Sequence, residues 1–211
     1  MKIIWLGHAS FLIETESTRI VTDPYDKATG YRIPDVSADL VTISHSHYDH
    51  NCVEWVLGNP QMVSSPGKTQ FRDVDILGIP SFHDQNQGRL RGDNTIFVIK
   101  AEDLVICHLG DLGHLLSPDQ LEAIGKVDVL LAPVGGTYTI TAGDAVKLVD
   151  AMKPRVTVPM HFKTPPCKIN LTPVEDFTKH YDRVAKLPYL DLSRREMASL
   201  PEVVVLDYSY I

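Results

Sequence analysis

Long hydrophobic runs are absent from this chain of 211 residues. A helix that crosses a membrane needs about 20 consecutive apolar residues, and no stretch of the sequence approaches that length. The segment from Met1 to Gly7 also turns polar too early for a secretory signal peptide. The sequence therefore predicts a cytoplasmic protein without a membrane partner.

Cysteine is scarce, and its three positions, Cys52, Cys107 and Cys167, are widely spaced. An odd, scattered set argues against a disulfide framework and fits a reducing compartment. None of the three belongs to a CxxC pair, so a structural zinc site built from thiolates is not indicated.

Basic residues are outnumbered: 20 Lys and Arg stand against 27 Asp and Glu, which gives a net charge of −7. Neutralising nucleic-acid phosphates needs clustered Lys and Arg, and the only basic concentrations are short, at Arg89 and Arg91 and at Arg194–Arg195. We expect a small-molecule substrate and no nucleic-acid partner. A charge total does not exclude a local anion site, so an anionic substrate stays open.

Hydrophobic periodicity predicts mostly strands up to about residue 115 and an alternation of helices and strands after it. The expected strands are Lys2–Leu6, Phe11–Glu14, Arg19–Thr22, Leu40–Ile43, Gln61–Val63, Asp75–Ile79, Thr95–Ile99, Leu104–Cys107, Val127–Leu131, Arg155–Val158 and Val203–Leu206.

Helix signals are confined to the second half. Capping boxes at Ser117–Gln120 and Thr172–Glu175 and an amphipathic stretch from Thr141 to Lys153 each predict a helix. Layers of sheet and helix in this mixture predict an α/β fold in which two mixed sheets pack together with helices outside. We find no repeat or linker, so residues 1–211 are expected to form a single domain.

The densest chemical signal is the run from His45 to His50, His-Ser-His-Tyr-Asp-His, directly after an apolar strand. Imidazole and carboxylate together suit zinc, manganese or iron. Their diverging directions favour two ions side by side over one. The alternative is a solvated turn in which Asp49 or Asn51 caps a helix over residues 52–57.

Three further residues that could bind a metal follow predicted strands: His83, Asp111 and His161. Strand ends are where sheets present functional groups to a ligand. Taken singly, each is as easily a buried histidine or a turn aspartate. Their common placement favours the metal-binding interpretation.

In this order the chain resembles the metallo-β-lactamase-fold hydrolase superfamily. The family pattern is a first-strand aspartate, His-x-His-x-Asp-His, a histidine, an aspartate and a final histidine; this chain offers Asp23, His45–His50, His83, Asp111 and His161. Shorter phrases resemble the branch of small metal-dependent hydrolases related to ascorbate-6-phosphate lactonases and N-acyl-phosphatidylethanolamine phospholipases. These phrases are Trp5–Phe11, His108–Gly113, Pro133–Gly136 and Pro159–His161.

The resemblance implies a four-layer αββα sandwich and a ligand for each motif position. His45, His47 and His83 would hold one divalent ion. Asp49, His50 and His161 would hold a second, with Asp111 bridging and Asp23 orienting the ligand loop from behind. The cofactors expected are two divalent metal ions, zinc first, with manganese or iron as alternatives.

Departures from the pattern narrow the activity. Asp111 stands where antibiotic-degrading members carry cysteine, which argues against β-lactamase activity. His47 stands where flavodiiron oxygen reductases carry glutamate, and a basic RNA-clamping arm is missing. A nuclease or a di-iron redox module is therefore the alternative, and hydrolysis the leading hypothesis.

The expected reaction is attack by a hydroxide shared between the two ions on a small ester, lactone or phosphodiester. Asp49 and His114 are the predicted catalytic residues, Asp49 on the nucleophilic water and His114 as a proton donor. Roles for His8, Tyr138 and Lys163 are left open, as are the substrate and a homo-oligomeric state.

Overall fold

The computed structural model describes residues 1–192 and 199–208. Its first sheet has six strands in the order β13-β1-β2-β3-β4-β5. Their bounds are β1 Lys2–Gly7, β2 Ser10–Glu14, β3 Arg19–Thr22, β4 Leu40–Thr42, β5 Gln61–Val63 and β13 Leu190–Asp191.

The second sheet has eight strands in the order β12-β14-β11-β10-β9-β8-β7-β6. Their bounds are β6 Gly67–Phe71, β7 Val74–Phe82, β8 Asp93–Ala101, β9 Leu104–His108, β10 Val129–Pro133, β11 Val156–Met160, β12 Val184–Leu187 and β14 Val203–Leu206. Every strand predicted from the sequence is present, although its ends differ by a few residues.

The two sheets pack face to face, and the side chains of β1 show which of its faces is turned to the second sheet. Alternate side chains of β1 belong to different hydrophobic clusters. Ile3 and Trp5 pack in a cluster that includes Ile76 and Ile99 of the second sheet. Ile4 and Leu6 point the other way, into a smaller cluster with residues of segments 25–41 and 167–171. The outer layer on that side contains short 3-10 helices, Lys27–Thr29 and Val53–Trp55.

Three α-helices complete the described part of the chain: α1 Pro118–Ile124, α2 Ala142–Met152 and α3 Glu175–Thr178. The capping box at Ser117 is confirmed, with Ser117 Oγ accepting from Gln120 N and Gln120 Oε1 accepting from Ser117 N. The capping box predicted at Thr172 is wrong. Val174 occupies the N-cap position of α3 with no side-chain bond, and Thr172 N bonds the carbonyl of Gly135 instead.

Strand direction sets the position of the candidate ligands. In the first sheet β1, β3 and β4 run the same way, because β2 is antiparallel to both β1 and β3 while β3 and β4 are parallel. In the second sheet β7, β9, β10 and β11 share a direction for the same reason. The residues that follow the carboxyl ends are His8, Asp23 and Ser44–His50 on one sheet, and His83, Asp111 and His161 on the other.

The remaining sequence expectations have mixed outcomes. The expected helix over residues 52–57 is only a single 3-10 turn without a side-chain cap, and Asn51 Nδ2 donates to the carbonyl of Ser46 instead. Arg194–Arg195 lie outside the described residues. No helix within the described ranges is long and apolar enough to cross a membrane.

Gly113 should be intolerant of a side chain. A Cβ built on Gly113 would lie 2.3 Å from Asp84 N and 2.3 Å from the carbonyl carbon of His83. Because both atoms belong to the main chain, Gly113→Ala must push the strand end that carries His83. We expect a loss of about 1–3 kcal/mol in the free energy of unfolding, as for other overpacked sites, measured by denaturant titration.

Gly143→Ala is the matched control for Gly113→Ala. A Cβ at Gly143 meets only Thr141 Oγ1 at 3.9 Å, and the residue lies in the first turn of α2. Alanine there should stabilise the protein by less than about 1 kcal/mol. Equal stability of the two variants would contradict the packing of Gly113 described above.

Candidate metal centre

One group of potential metal ligands is formed by three histidines, His45, His47 and His83. One ligand atom of each lies within 4.8 Å of the others. His45 Nε2 is 3.0 Å from His47 Nδ1, and the His83 ring centroid lies 4.9 Å from that of His45. The loop after β4 supplies two of the rings and the end of β7 supplies the third, so both sheets contribute.

A second group brings together His8, Asp49, His50 and His161, again within 4.8 Å of one another. The ring centroids of His8 and His161 are 4.3 Å apart. Asp49 Oδ2 lies 3.2 Å from His8 Nε2 and 3.9 Å from His50 Nε2. Three of these residues are the set that the sequence predicted for a second ion, and His8 is an addition to it.

Asp111 connects the two groups. Its Oδ2 atom lies 3.2 Å from His83 Nε2 in the first group, and 3.3 Å and 3.2 Å from the Nε2 atoms of His50 and His161 in the second. The carboxylate is almost fully buried. Its backbone N–H donates to Asn94 Oδ1 at 3.0 Å, which fixes the turn after β9. The structure thus places Asp111 between the groups, where the sequence expected a bridging ligand.

Asp23 supports the cluster from behind. Its Oδ2 lies 2.8 Å from His50 Nδ1, and its two oxygens accept bonds from Ser44 N at 2.7 Å and Ser44 Oγ at 2.5 Å. The side chain is fully buried. One carboxylate oxygen of Asp23 also lies within 4.8 Å of a ring nitrogen of His45 and of His50, but both oxygens of Asp23 already have hydrogen-bond partners. Its geometry therefore suits orienting His50 and the ligand loop.

The electrostatics keep two histidines neutral. Burial, with His50 nearby, lowers the pKa of His45 to about 3, and burial together with His161 lowers the pKa of His8 to about 4. Neutral imidazole is the form that binds metal. Burial would raise the pKa of Asp111, but the neighbouring His161 and His50 hold that pKa well below its ordinary value. Asp111 is therefore an ionised carboxylate.

His50 carries the compensating charge. Burial alone would lower the pKa of this imidazole, yet the carboxylates of Asp111 and Asp23 raise it well above the ordinary value. A buried pair of carboxylates requires positive charge nearby. A divalent cation beside Asp111 would supply the same charge and release the His50 proton.

Unpartnered buried atoms show that the residues fit a metal. Within the described ranges, His50 Nε2 and Asp111 Oδ1 are buried without a hydrogen-bond partner, as are the Nδ1 atoms of His8, His83 and His161. Such atoms are costly unless something satisfies them. Clustered imidazole and carboxylate donors suit zinc, manganese or iron. The donor set thus matches the ions expected from the sequence.

The model of a β-lactamase superfamily domain matches residues 2–161. The chain belongs to the metallo-β-lactamase superfamily.

Relatives within the metallo-β-lactamase superfamily cover almost the whole chain. A UPF0173 metal-dependent hydrolase of Pyrococcus furiosus is 30% identical, in a match that covers 90% of this chain and 96% of the relative. A structure described as a candidate zinc-dependent hydrolase, from Thermotoga maritima, is 43% identical, covers 97% of both chains and has a TM-score of 0.82. Igni18, a metallo hydrolase of Ignicoccus hospitalis, shares the fold at 20% identity, covering 98% of this chain and 94% of its own, with a TM-score of 0.64.

The sequence left the role of His8 open, although the sequence does show that His8 follows a predicted strand. It follows β1 in the turn Gly7-His8-Ala9-Ser10, and so stands in the same relation to a strand end as the other residues of the two groups. Its backbone is in the left-handed region, with φ of 53°. Its carbonyl accepts bonds from Trp5 Nε1 and His161 N, both at 3.0 Å, and these bonds hold that conformation.

His114 is not brought to the cluster. Its Nε2 accepts from Phe82 N at 3.1 Å and its Nδ1 donates to the carbonyl of Leu115 at 2.8 Å. With both ring nitrogens bonded to the main chain, the imidazole has no atom left for a substrate. His108 is likewise committed, through Nε2 to the carbonyl of Ala9 at 2.8 Å. The proton-donor role predicted for His114 therefore has no geometric support, and we do not propose it.

A cavity of about 600 Å³ opens onto the two groups of candidate ligands. Its wall includes candidate ligands from both groups and residues from four other segments. The lining residues are Ala28, His47, Tyr48, Asp49, His83, Arg91, Asp111, Tyr138, His161, Lys168, Ile169 and Asn170. Lys163, considered from the sequence, lies outside this wall; its Nζ donates to the carbonyls of Cys167 and Ile169 and holds the neighbouring loop.

Asp23→Asn should weaken metal binding while leaving every proposed ligand in place. The amide cannot accept from both Ser44 and His50 with a full negative charge, so His50 loses its orientation. Loss of such outer hydrogen bonds commonly costs 10–100-fold in affinity. We expect a loss of about that size, measured by competition with a chromophoric chelator.

Asp39→Asn is the control for Asp23→Asn. Asp39 precedes β4, at the opposite end of that strand, and bonds Arg19 N and Arg72 instead of the cluster. Its replacement should leave metal affinity unchanged. If Asp23→Asn behaved like Asp39→Asn, Asp23 would have no part in the centre.

Proposed function

We propose that this chain is a dinuclear metal-dependent hydrolase that cleaves a small ester, lactone or phosphodiester. The observation that carries the proposal is the position of Asp111 Oδ2, within 3.3 Å of imidazole nitrogens from both ligand groups. A single carboxylate oxygen shared between two groups is the arrangement expected for a pair of ions. The relatives named as metal-dependent hydrolases support the same reaction class.

Seven residues would hold the ions. His45, His47 and His83 form one set, and Asp49, His50 and His161 the other, with Asp111 common to both. When bound, such ions act as Lewis acids and lower the pKa of a shared water. Zinc is the first expectation, with manganese or iron accepted by the same donors.

Asp49 is placed to handle a proton. Its carboxylate lines the cavity and is the more exposed of the two carboxylates there. Burial would raise its pKa, but the His8 hydrogen bond and the charge of His50 lower the pKa below the ordinary value. Asp49 is therefore an ionised but weak base. It can accept a proton from an attacking water only if that water is already acidified.

The reaction follows from this placement. The oxygen of a water molecule adds to the carbonyl carbon or phosphorus, its proton passes to the Asp49 carboxylate, and the bond to the leaving oxygen breaks. The leaving oxygen then takes up the proton. This sequence consumes one water and needs no nucleophilic serine or cysteine. Cys107 and Cys167 are buried free thiols, and burial raises the pKa of each.

The size of the cavity favours a small molecule. A volume of about 600 Å³ falls in the usual range for small-molecule pockets, about 300–1,000 Å³. We also propose a cytoplasmic location, supported by the three cysteines, each a free thiol and none paired.

Removing a proposed ligand should lower the metal content and abolish hydrolysis. Protein purified without chelator is expected to carry two metal equivalents by mass spectrometry of the elements. Asp111→Ala should lower metal content in both groups, whereas His47→Ala removes a ligand from only one. Hydrolysis of a panel of lactones and phosphodiesters should fall below detection in both variants.

His180→Ala is the control, because this histidine is exposed and lies near the end of α3, outside both ligand groups. It should retain two equivalents and full activity. Full hydrolysis by Asp111→Ala or His47→Ala would rule out the dinuclear mechanism. Oxygen consumption without hydrolysis would indicate the di-iron alternative instead.

A further inference from the structure

The wall of the cavity carries two cationic side chains that the proposed chemistry does not use, Arg91 and Lys168. Within the described ranges neither has a carboxylate oxygen within 4 Å, although Asp49 and Asp111 line the same cavity. What sets Arg91 and Lys168 apart is their position, because both line the cavity that holds the candidate metal ligands, in a chain of net charge −7.

The main chain at Arg91 is fixed by a buried carboxylate. Asp84 is 3% exposed, and its two oxygens accept four backbone N–H groups, from Asn86, Gly88, Leu90 and Arg91, at 2.7, 3.2, 2.9 and 2.8 Å. The segment from Asp84 to Gly92 is thus a closed loop around one carboxylate.

The same loop sets Arg91 beside the metal ligands. Asp84 follows His83 directly, and His83 N donates to the carbonyl of Gly92 at 3.0 Å. The guanidinium carbon lies 5.6 Å from the centroid of the Tyr138 ring, and Nη2 reaches the carbonyl of Thr137 at 3.4 Å. A guanidinium has five N–H donors. Most of them are left for a ligand, on a side chain that is already positioned.

Lys168 reaches the cavity from a different segment. Its backbone N–H donates to the carbonyl of Thr29 at 2.8 Å, while its side chain is exposed. Lys163 ties the ends of this short loop through the carbonyls of Cys167 and Ile169. The cation therefore stands on an anchored main chain, and among residues 1–192 and 199–208 its ammonium group has no hydrogen-bond or ion-pair partner.

We propose that Arg91 and Lys168 bind an anionic group of the substrate, a carboxylate or a phosphate, that is separate from the bond being cleaved. The inference rests on the proposed hydrolase function and narrows its substrates to small organic anions. Charge-assisted bonds from Arg and Lys are the strong means of holding such groups. Tyr48 and Tyr138, 54% and 38% exposed on the same wall, offer apolar surface to the body of the molecule.

The test compares linear diacids with monoacids of equal length, binding to the metal-loaded protein. The pairs are succinate with butyrate, glutarate with valerate, and adipate with hexanoate. The affinity of each acid is measured by titration calorimetry. One carboxylate can occupy the metal centre in both members of a pair, whereas only the diacid offers a second anion to the wall. We expect at least one diacid to bind about tenfold or more tightly than its monoacid.

The double variant Arg91→Ala with Lys168→Ala should remove that difference and leave monoacid affinity and metal content unchanged. Arg89→Ala with Lys126→Ala is the matched control, because Arg89 lies in the same loop and both side chains are exposed away from the cavity wall. Equal affinities within all three pairs, or a diacid preference that survives in the double variant, would overturn the inference.

The outcome also separates this inference from the proposed function. A diacid preference that depends on Arg91 and Lys168, found in a protein that hydrolyses nothing in the panel, would support the anion site and count against the hydrolase. Hydrolysis accompanied by no diacid preference would leave the hydrolase in place and reject the anion site alone. A melting temperature close to that of the unaltered protein checks that the double variant is folded.

Discussion

The Asp111 carboxylate is the point on which the rest of the structure depends. It is buried, ionised and surrounded by imidazoles from both sheets, His50 from the first and His83 and His161 from the second. An isolated buried charge is too costly to keep, so it must be paired or bind a cation. One source of positive charge is protonated His50, whose pKa is raised by Asp111 and Asp23 together. A divalent ion is another, and the imidazole and carboxylate donors of the cluster suit such an ion.

The need to pair the buried charge of Asp111 also explains why the two sheets are joined at the carboxyl ends of their strands. Residues at the carboxyl ends of strands in both sheets have to meet at one edge, and the main chain connects the sheets there directly. His161 N donates to the carbonyl of His8 at 3.0 Å. His8, Asp23 and His161 all have φ between 40° and 53°, a conformation that costs energy for residues other than glycine. The bonds around them hold that strain at the site.

The cluster of candidate ligands could be predicted from the sequence for two reasons. Its residues follow strands whose hydrophobic pattern is strong, which made His83, Asp111 and His161 candidates, and their order resembles that of the metallo-β-lactamase superfamily, which assigned them as ligands. His8 and His114 show the limit of that reasoning. Both stand in turns near the site, but which one faces the cluster depends on where the ring nitrogens find partners. His114 bonds Phe82 N and the Leu115 carbonyl, whereas His8 has an atom 3.2 Å from Asp49.

Other misses have a similar cause. β6 has the sequence Gly-Lys-Thr-Gln-Phe, with little apolar content, and exists because β7 offers it a free edge. The capping motif at Thr172 fails because Thr172 N is already bonded to Gly135. The polar stretch after Asp84 has no pattern that predicts a structure, yet one carboxylate accepts four of its N–H groups. In each case a hydrogen-bond partner that the local residue pattern does not reveal decides the structure.

The candidate ligands at the base of the cavity and the residues of its wall are subject to different constraints. The ligands surround the buried charge of Asp111, so few substitutions among them can be tolerated. Arg91 belongs to the wall, but the loop that carries it begins at Asp84, next to His83, and closes on His83 N through Gly92. Lys168 stands on a loop that contacts Thr29 and lies apart from that ligand. In the proposed anion site, removing the side chain of Lys168 or of Arg91 leaves the candidate ligands in place, whereas a change in the main chain of the Arg91 loop would displace His83. The proposed anion site is therefore coupled to the candidate metal centre only through the main chain of that loop.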